Sequence, residues 1–376
     1  MRIVRNAIVI GAALGSVLVV APAAGAQGLS GSSDHAAGVV FVQTDNTGGN
    51  QVVAYDQATN GTLTQAGVFN TGGAGGALNG SVVDHLASQG ALSYDKGHHL
   101  LFAVNAGSNS ISVFRVNSDH LGLIQVIGSG GTFPSSITSS GDVAYVLNAL
   151  QGGSVVGFRI DAGGLSPIAG STRQLGLTTP NDPTQFTHTP GQVAFTPDGR
   201  QVVVTTKATT SAIDVFNVNP QGLLSTPTVN IEAGAVPFAV SFTGRTLLVS
   251  NAGTNSVSAF GLDQSGNATL LSTAATNQSA TCWIARAGGR FFASNTGSAS
   301  LTGFELKRTS LSATGQTTTD PGTVDAASSP NGDFLYVQTG RLGIVDEFAV
   351  GPAGVLAKIG SVTVPGAVGG EGIVTA

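Results

Sequence analysis

Short apolar runs alternate with turn residues along most of this chain. Between Pro237 and Ala274 four such runs follow one another, PFAVSF, TLLVSN, SVSAFGL and ATLLSTA, each bounded by Gly, Asn or Asp. Runs of this length, rich in Val, Leu, Phe and Thr and separated by turn residues, are typical of β-strands. Long helical periodicity is absent beyond the N-terminal region. The pattern therefore predicts an all-β protein.

The four-run pattern is repeated along the sequence. The stretch VSNAGTNSVSAFGL at 249–262 nearly repeats AVNAGSNSISVFRV at 103–116. An aromatic residue anchors the third run of each copy, at successive spacings of 59, 44, 58, 44, 44 and 44 residues. We infer seven copies of a unit of about 44 residues, with one insertion in each of the two longer intervals. The anchors are Tyr55, Phe114, Phe158, Phe216, Phe260, Phe304 and Phe348.

A repeat of this length with four strands predicts a seven-bladed β-propeller, in which each blade buries a face against the next. The first copy begins at Gly38 with a segment that matches the second strand of the other copies, and Gly366–Ala376 matches their first strand. We therefore expect residues 38–376 to form a single domain whose C-terminal strand completes the N-terminal blade from the inside. Such closure removes an open sheet edge.

The first 26 residues have the three-part pattern of a secretory signal. Arg2 and Arg5 precede an apolar run from Ala7 to Val20, and small residues follow up to Ala26. The alternative, a membrane anchor, is disfavoured because 14 apolar residues fall short of the roughly 20 that span a bilayer. We predict cleavage near Ala26-Gln27, a short linker over 27–37, and a secreted, periplasmic or cell-envelope protein.

Charge and cysteine content narrow the choice of partners. Without Arg2 and Arg5, 13 Lys and Arg face 20 Asp and Glu, a net charge of −7, which argues against nucleic acid or anionic membranes. Cys282 is the only cysteine, so no internal disulfide forms, and we interpret it as a small buried hydrophobe. No spacing predicts a metal site, and we expect no cofactor and a monomer.

Three stretches carry a family resemblance. The segments YVLNA, VSNAGTNSVSAF and VAFTPDGRQVVV resemble the lactonase family of seven-bladed propellers, which includes bacterial phosphogluconolactonases and fungal carboxymuconate cyclases. The resemblance extends over residues 38–376 and overlaps with surface propellers that carry a Tyr-Val-x-Asn strand. It implies the fold strongly and an activity on lactones or related esters weakly.

The catalytic pattern that the resemblance implies is largely absent. Active members carry a Pro-His-x-His run before the F-x-P-D-G segment, and an Asp and an Arg at the end of the next strand. Here His188 is out of register, Gly191 stands where the second His is expected, and Lys207 replaces the acid and the arginine. Phosphorylated sugar lactones are also cytosolic metabolites, which conflicts with export.

The two insertions are the expected site. They span Asn70–Gln89 and Gln174–Pro190, in links between blades on the face shared with the turns between second and third strands, and long loops on a rigid scaffold concentrate binding residues. We expect them to overhang the mouth of the central channel without contributing to blade stacking. Candidate catalytic residues are His188, Lys207 and His85, and candidate ligand-binding residues are Asp84, Asp182 and Glu371.

Each candidate has a simpler alternative. Lys207 stands where other copies have Asn105, Asn148, Asn251 and Asn295, which we interpret as turn residues bonding the local backbone. The alternative for Lys207 is a solvated surface lysine, and for each histidine a surface or capping residue. Glu371 begins the closing strand and could point into the channel.

Two functions remain open from the sequence. The first is a non-catalytic exported propeller that binds a small molecule, glycan or protein at the channel mouth. The second is a hydrolase or cyclase acting on a lactone or related ester, with His188 or His85 as general base and Lys207 stabilising negative charge. Convergence of His, Lys and a carboxylate within hydrogen-bond reach would favour the second.

Overall fold

The computed structural model describes residues 37–376 as seven antiparallel sheets. Each innermost strand packs against the innermost strand of the next sheet, and the seventh packs against the first, so the sheets form a closed ring of blades. The predicted seven-bladed propeller is confirmed. The predicted signal peptide and most of the predicted linker lie outside the described residues.

The strands of each blade are given from the inner to the outer edge. Blade 1 consists of β29 (Ile373–Thr375), β1 (Gly38–Gln43), β2 (Gln51–Gln57) and β3 (Leu63–Asn70), and blade 2 of β4 (Leu92–Asp95), β5 (Leu100–Asn105), β6 (Ser110–Asn117) and β7 (His120–Gly128). Blade 3 consists of β8 (Pro134–Ser140), β9 (Val143–Asn148), β10 (Ser154–Asp161) and β11 (Gly164–Pro167) with β12 (Arg173–Gln174), blade 4 of β13 (Pro190–Phe195), β14 (Gln201–Thr206), β15 (Ala212–Asn217) and β16 (Thr228–Ile231), and blade 5 of β17 (Pro237–Thr243), β18 (Thr246–Asn251), β19 (Ser256–Leu262) and β20 (Ala268–Ala275). Blade 6 consists of β21 (Thr281–Ala287), β22 (Arg290–Asn295), β23 (Ser300–Lys307) and β24 (Ser310–Thr318), and blade 7 of β25 (Thr323–Ser328), β26 (Phe334–Thr339), β27 (Ile344–Val350) and β28 (Leu356–Thr363).

Helical structure in the described range consists of three 3₁₀ turns, Gln185–Thr187, Thr296–Ser298 and Pro352–Gly354. No helix of residues 37–376 is both long enough and apolar enough to cross a membrane.

The aromatic anchors explain why the repeat is kept. All seven lie in third strands and are buried. Phe260, for example, packs with Leu247 of its own blade and with Val203 and Val215 of blade 4. Each copy therefore supplies the apolar surface that its neighbour buries, which is the main stabilising contribution in a ring of this kind.

Ring closure follows the predicted arrangement. β29 pairs antiparallel with β1, Val40 opposite Thr375 and Val42 opposite Ile373. The closing strand is shorter than the segment 366–376, because Gly366, Gly369 and Gly372 adopt positive φ and lead the chain through turns before β29 begins.

The asparagines at the ends of second strands are buried, and their amides bond the third strand instead of the local backbone. Asn251 Nδ2 donates to Ser256 Oγ at 3.3 Å and to Ser258 Oγ at 2.9 Å, and Asn295 makes the equivalent bonds to Ser300 and Thr302. The interpretation of these residues as backbone-bonding turn formers is wrong in this detail. Their role is to tie the second strand to the third at the mouth side of blades 2, 3, 5 and 6.

Candidate functional site

The first insertion enters the channel mouth. Within it, five residues of the segment 78–89, which we call the plug, are almost wholly buried: Leu78, Asp84, Leu86, Ala87 and Ser88. Leu86 and Ala87 pack in the same apolar cluster as residues of blades 2 and 3. The expectation that this insertion overhangs the mouth without contributing to packing is therefore wrong.

Hydrogen bonds fix the plug to blades on several sides of the channel. Trp283 Nε1 in blade 6 donates to Ser88 O at 2.6 Å, and Ser88 Oγ donates to Ser135 O in blade 3 at 2.7 Å. The Gln89 side chain bonds both the N–H and the carbonyl of Ile284 at 3.0 Å, and its main-chain N–H donates to Gly191 O. The plug therefore occupies the space between the inner strands at the mouth.

Asp84 shapes the plug from within. Its two carboxylate oxygens accept the N–H groups of Leu86 at 2.8 Å and Ser88 at 2.9 Å. Burial raises the pKa of Asp84 to about 7, while these bonds and the Lys207 ammonium act in the opposite direction. The side chain is thus a buried turn-forming group as well as a charged neighbour of the pocket described below.

Lys207 is buried, so its interpretation as a solvated surface lysine is wrong. Nζ donates to Ala87 O in the plug at 2.5 Å and lies 5.1 Å from the centre of the Phe238 ring. Burial lowers the pKa of Lys207 to about 7, and the Asp84 carboxylate raises it. The structure therefore brings Lys207 and Asp84 together, but the hydrogen bonds of both are directed to the backbone of the plug.

The histidines do not join this pair. His188 Nδ1 lies 2.9 Å from Thr187 Oγ1 and 3.0 Å from Thr184 O, so the ring caps the 3₁₀ turn of the second insertion. Asp182 is exposed, and its bonds from the hydroxyl and N–H of Thr184 lower its pKa. His85 is partly buried, which lowers its pKa, and its ring packs against Gly369, where a Cβ would lie 2.1 Å from Nε2.

The second insertion touches the first. Asn79 N donates to Gln185 Oε1 at 3.0 Å, and Asn79 Nδ2 donates to Asn181 Oδ1 at 3.2 Å. Phe186, between these contacts and the blades, packs at the edge of the apolar cluster that holds Leu86. The two insertions together therefore form one lining over the mouth.

A cavity of 220 Å³ lies at this mouth. Three aromatic side chains line it, Phe186, Phe238 and Trp283, and the last two pack with ring centroids 4.7 Å apart. We call this cavity the mouth pocket. The rest of its wall is largely apolar, with Asp84 as its single charged residue; its other lining residues are Gly80, Ser81, Val82, Val83, Asp84, Ala87, Ala280, Cys282 and Thr296.

Cys282, predicted to be a small buried hydrophobe, packs against the apolar cluster that holds Trp283, but it is partly exposed and lines the mouth pocket. Desolvation raises the pKa of its thiol to about 12, although the nearby Lys207 lowers it. The group is therefore a neutral thiol at physiological pH and contributes a soft, apolar surface.

Glu371 lies inside the ring, where the sequence suggested that it could point. It is fully buried, and Oε1 accepts the N–H of Gly90 in the link to blade 2 at 2.8 Å. Two further buried acids near it were missed by the sequence reasoning, Asp45 and Asp325. The sequence feature that could have identified Asp325 is a single acidic residue within a predicted innermost strand.

A larger cavity of 270 Å³ lies elsewhere, among the β13–β14 and β17–β18 turns near Phe242 and Arg245. Its lining includes none of the plug residues and neither Lys207 nor Glu371. We therefore take the mouth pocket as the candidate site. Residues 37–376 contain no group of three or more His, Cys, Asp or Glu side chains placed to hold a metal ion.

Comparison with known proteins gives the family. Residues 40–172 and 138–285 match the model "Lactonase, 7-bladed beta-propeller". Among curated proteins no sequence shows significant similarity to this chain. A proposed 6-phosphogluconolactonase from Bacteroides fragilis has a similar structure, with a TM-score of 0.71, 20% identity, and coverage of 92% of this chain and 99% of that one. The periplasmic gluconolactonase of Pseudomonas aeruginosa gives a TM-score of 0.69 at 18% identity, covering 90% of this chain and 99% of the other. At these identities the structural neighbours establish the fold, and with the matched family model this chain belongs to the seven-bladed β-propeller lactonase family.

Proposed function

We propose that this protein is an exported, non-catalytic member of its family that binds a small, largely apolar molecule in the mouth pocket. The observation that carries the proposal is the pairing of an aromatic pocket with a plugged channel. The pocket lies between Phe186, Phe238 and Trp283, and the plug closes the space beneath it. Concave sites with mostly apolar walls and few polar groups are typical of small-molecule binding.

The shape of the pocket limits the ligand. At 220 Å³ the cavity is smaller than the roughly 300–1,000 Å³ of most ligand sites, which suits a molecule of one or two rings. No lysine or arginine lines it, so a phosphate group would be desolvated without a cationic partner. A polyhydroxylated sugar would also leave its hydroxyl groups unpaired against aromatic walls.

Lactone hydrolysis, the alternative, lacks a histidine base at this site, and both carboxylate oxygens of Asp84 in the pocket wall already accept N–H groups of the plug. A general base must lie within hydrogen-bond reach of its proton, and the two histidines have other surroundings, His188 at the 3₁₀ turn and His85 against Gly369. Lys207, the candidate for stabilising negative charge, donates to Ala87 O. The departures from the family's catalytic pattern at Gly191 and Lys207 favour the same conclusion.

Export is proposed from the N-terminal sequence. The basic start, short apolar run and small residues up to Ala26 support cleavage and transfer out of the cytoplasm. The name of one structural neighbour, a periplasmic gluconolactonase, fits such a location. N-terminal sequencing of the exported protein should begin near Gln27, and recovery of intact Met1 outside the cytoplasm would contradict cleavage.

Calorimetry on the mature protein tests the binding proposal. The titrants are dihydrocoumarin, an aromatic bicyclic lactone, tetralin, a hydrocarbon with the same fused-ring skeleton and no ester bond, and glucono-δ-lactone, with product formation measured in the same samples. We expect saturable binding of the two apolar molecules, no binding of the sugar lactone, and no turnover. Turnover of either lactone, or binding of the sugar lactone alone, would contradict the proposal.

Two variants of one residue locate the binding. Cys282→Leu adds volume to the pocket wall and should abolish binding, whereas Cys282→Ser keeps the size and should retain most of it. If both variants bind as the parent protein does, the ligand lies elsewhere.

A further inference from the structure

Four buried carboxyl groups meet near the centre of the ring, and they come from four different segments. Asp45 lies in the β1–β2 link, Asp84 in the plug, Asp325 in β25, and Glu371 just before β29, and each is at most 4% exposed. Each of the other three interacts electrostatically with Glu371. Buried charges of one sign are costly unless they are paired or protonated.

Backbone donors satisfy part of this group. Asp45 Oδ2 accepts the N–H of Glu371 at 2.7 Å, and its Oδ1 accepts Gln43 Nε2 at 2.5 Å. Asp325 Oδ1 accepts the N–H of Ala326 at 2.9 Å. These bonds connect blade 1 to its own closing segment and hold the carboxyl of blade 7 at its inner strand.

One oxygen of Glu371 is left without a donor. Glu371 Oε2 is buried and receives no N–H or O–H group in the described part of the chain, while β29, which begins two residues after Glu371, packs against β25, which holds Asp325. Among the neighbouring charges Asp325 acts most strongly on Glu371, and two ionised carboxylates side by side repel each other. A single proton between them converts the contact into a strong hydrogen bond, as in other carboxyl pairs.

The other titratable groups facing this region do not neutralise the pair. Lys207 is the buried cation nearest to Asp84, and its ammonium is directed to Ala87 O. His85 lies beside the backbone of Asp45, and Cys282 is a neutral thiol near Lys207 and Asp84. None of these three groups contributes to the interactions of Asp325 or Glu371.

We propose that Asp325 and Glu371 share one proton in the folded ring, and that this proton locks the closing strand β29 in place between blade 7 and blade 2. Glu371 is suited to this because its other oxygen holds Gly90 and its own N–H holds Asp45. Loss of the proton places two negative charges at the point where the ring closes. The seam of the propeller is therefore sensitive to pH.

The pKa values of both carboxyl groups are shifted in the direction that a shared proton requires. Burial raises the pKa of Asp325 from 3.8 to about 6, and burial followed by repulsion from Asp325 raises that of Glu371. Because the pKa values of Asp325 and Glu371 are higher in the folded state than in the unfolded state, the folded protein binds more protons than the unfolded chain. The stabilisation is fully present below about pH 4 and is lost as the pH rises through 6 and above.

The test compares pH profiles of stability. The unfolding free energy of the mature protein is measured between pH 4.5 and 8.5 for the parent chain, Asp325→Asn, Glu371→Gln, and Asp161→Asn, whose carboxylate is exposed at a turn. The slope gives the number of protons released on unfolding. Because burial is the largest cause of both raised pKa values, the single acid left in Asp325→Asn or Glu371→Gln keeps a proton. We therefore expect each single variant, and Asp161→Asn, to match the parent near pH 7, and the double variant Asp325→Asn/Glu371→Gln, measured alongside, to release about one proton fewer.

Infrared difference spectra supply a second readout that a purely structural role would not change. A protonated-carboxyl band should be present in the folded parent near pH 7, shift in Asp325→Asn, where an amide replaces the carboxylate partner of the proton on Glu371, and lose intensity in the double variant. Equal slopes for the parent and the double variant, one proton fewer in Asp325→Asn alone, or a carboxyl band unchanged in Asp325→Asn would overturn the proposal. Neither result depends on ligand binding, so the function proposed above stands or falls separately.

Discussion

Leu86→Ala tests whether the plug is part of the packed core. Leu86 is fully buried in the cluster shared with blades 2 and 3, although it belongs to an insertion and not to the repeat. Truncating a fully buried leucine removes its transfer free energy and leaves a cavity, at a cost of about 2–5 kcal/mol. We expect a value near the middle of that range, because the surrounding strands are held by their own ladders and cannot collapse freely.

The assay is urea denaturation followed by far-ultraviolet circular dichroism, with Val82→Ala as the matched control. Val82 lies four residues away in the same insertion and is 73% exposed, so its truncation should change the unfolding free energy by no more than about 0.5 kcal/mol. A Leu86→Ala variant as stable as Val82→Ala would refute the packing of the plug in the channel. An altered denaturant slope would show instead that the variant changes the compactness of the native or denatured state or breaks two-state unfolding.

Three further predictions concern the packing between blades, the closing strand, and the buried residues Lys207 and Asp84. Phe260→Ala should cost roughly 3–5 kcal/mol by thermal denaturation because the ring is buried between blades, whereas Leu270→Ala, 55% exposed in the same blade, should stay within about 0.5 kcal/mol. Deleting residues 370–376 removes β29 and Glu371, so it should lower the melting temperature and expose the edge of β1; a truncated chain that melts like the parent and stays monomeric would contradict the closure. Lys207→Met should make the unfolding free energy fall more steeply with rising pH. The substitution removes an amine whose lowered pKa adds stability from pH 7 upward, and it also removes the positive charge that lowers the pKa of Asp84. An unchanged pH profile would argue against coupling between Lys207 and Asp84.

The repeat made the fold predictable. Seven aromatic anchors in constant phase fixed the number of blades, and the missing first strand before Gly38 indicated the composite blade. These features follow from packing, since every copy must present the same surface to its neighbour. Local rules sufficed for them because strand and turn signals act over a few residues.

The site was less predictable because it rests on parts of the chain that occur once. The phase of the repeat does not indicate whether an insertion extends outward or folds inward. The sequence therefore placed Asp84 and Lys207 near the mouth but did not predict that both side chains are buried. Asp325 and Glu371 come from segments 46 residues apart in sequence and meet only when the ring closes. Phe186 and Trp283 likewise become neighbours of one cavity only in three dimensions.

Trp283 provides the most direct measurement, because it is the only tryptophan of the chain and lines the mouth pocket. Its fluorescence is followed while dihydrocoumarin, tetralin or glucono-δ-lactone is added to the mature protein. The account predicts a saturable change with the two apolar molecules, lost in Cys282→Leu and kept in Cys282→Ser, and no change with the sugar lactone. A response to the sugar lactone that saturates and is accompanied by its hydrolysis, or no response to either apolar molecule, would contradict a binding pocket for apolar ligands at the plugged mouth.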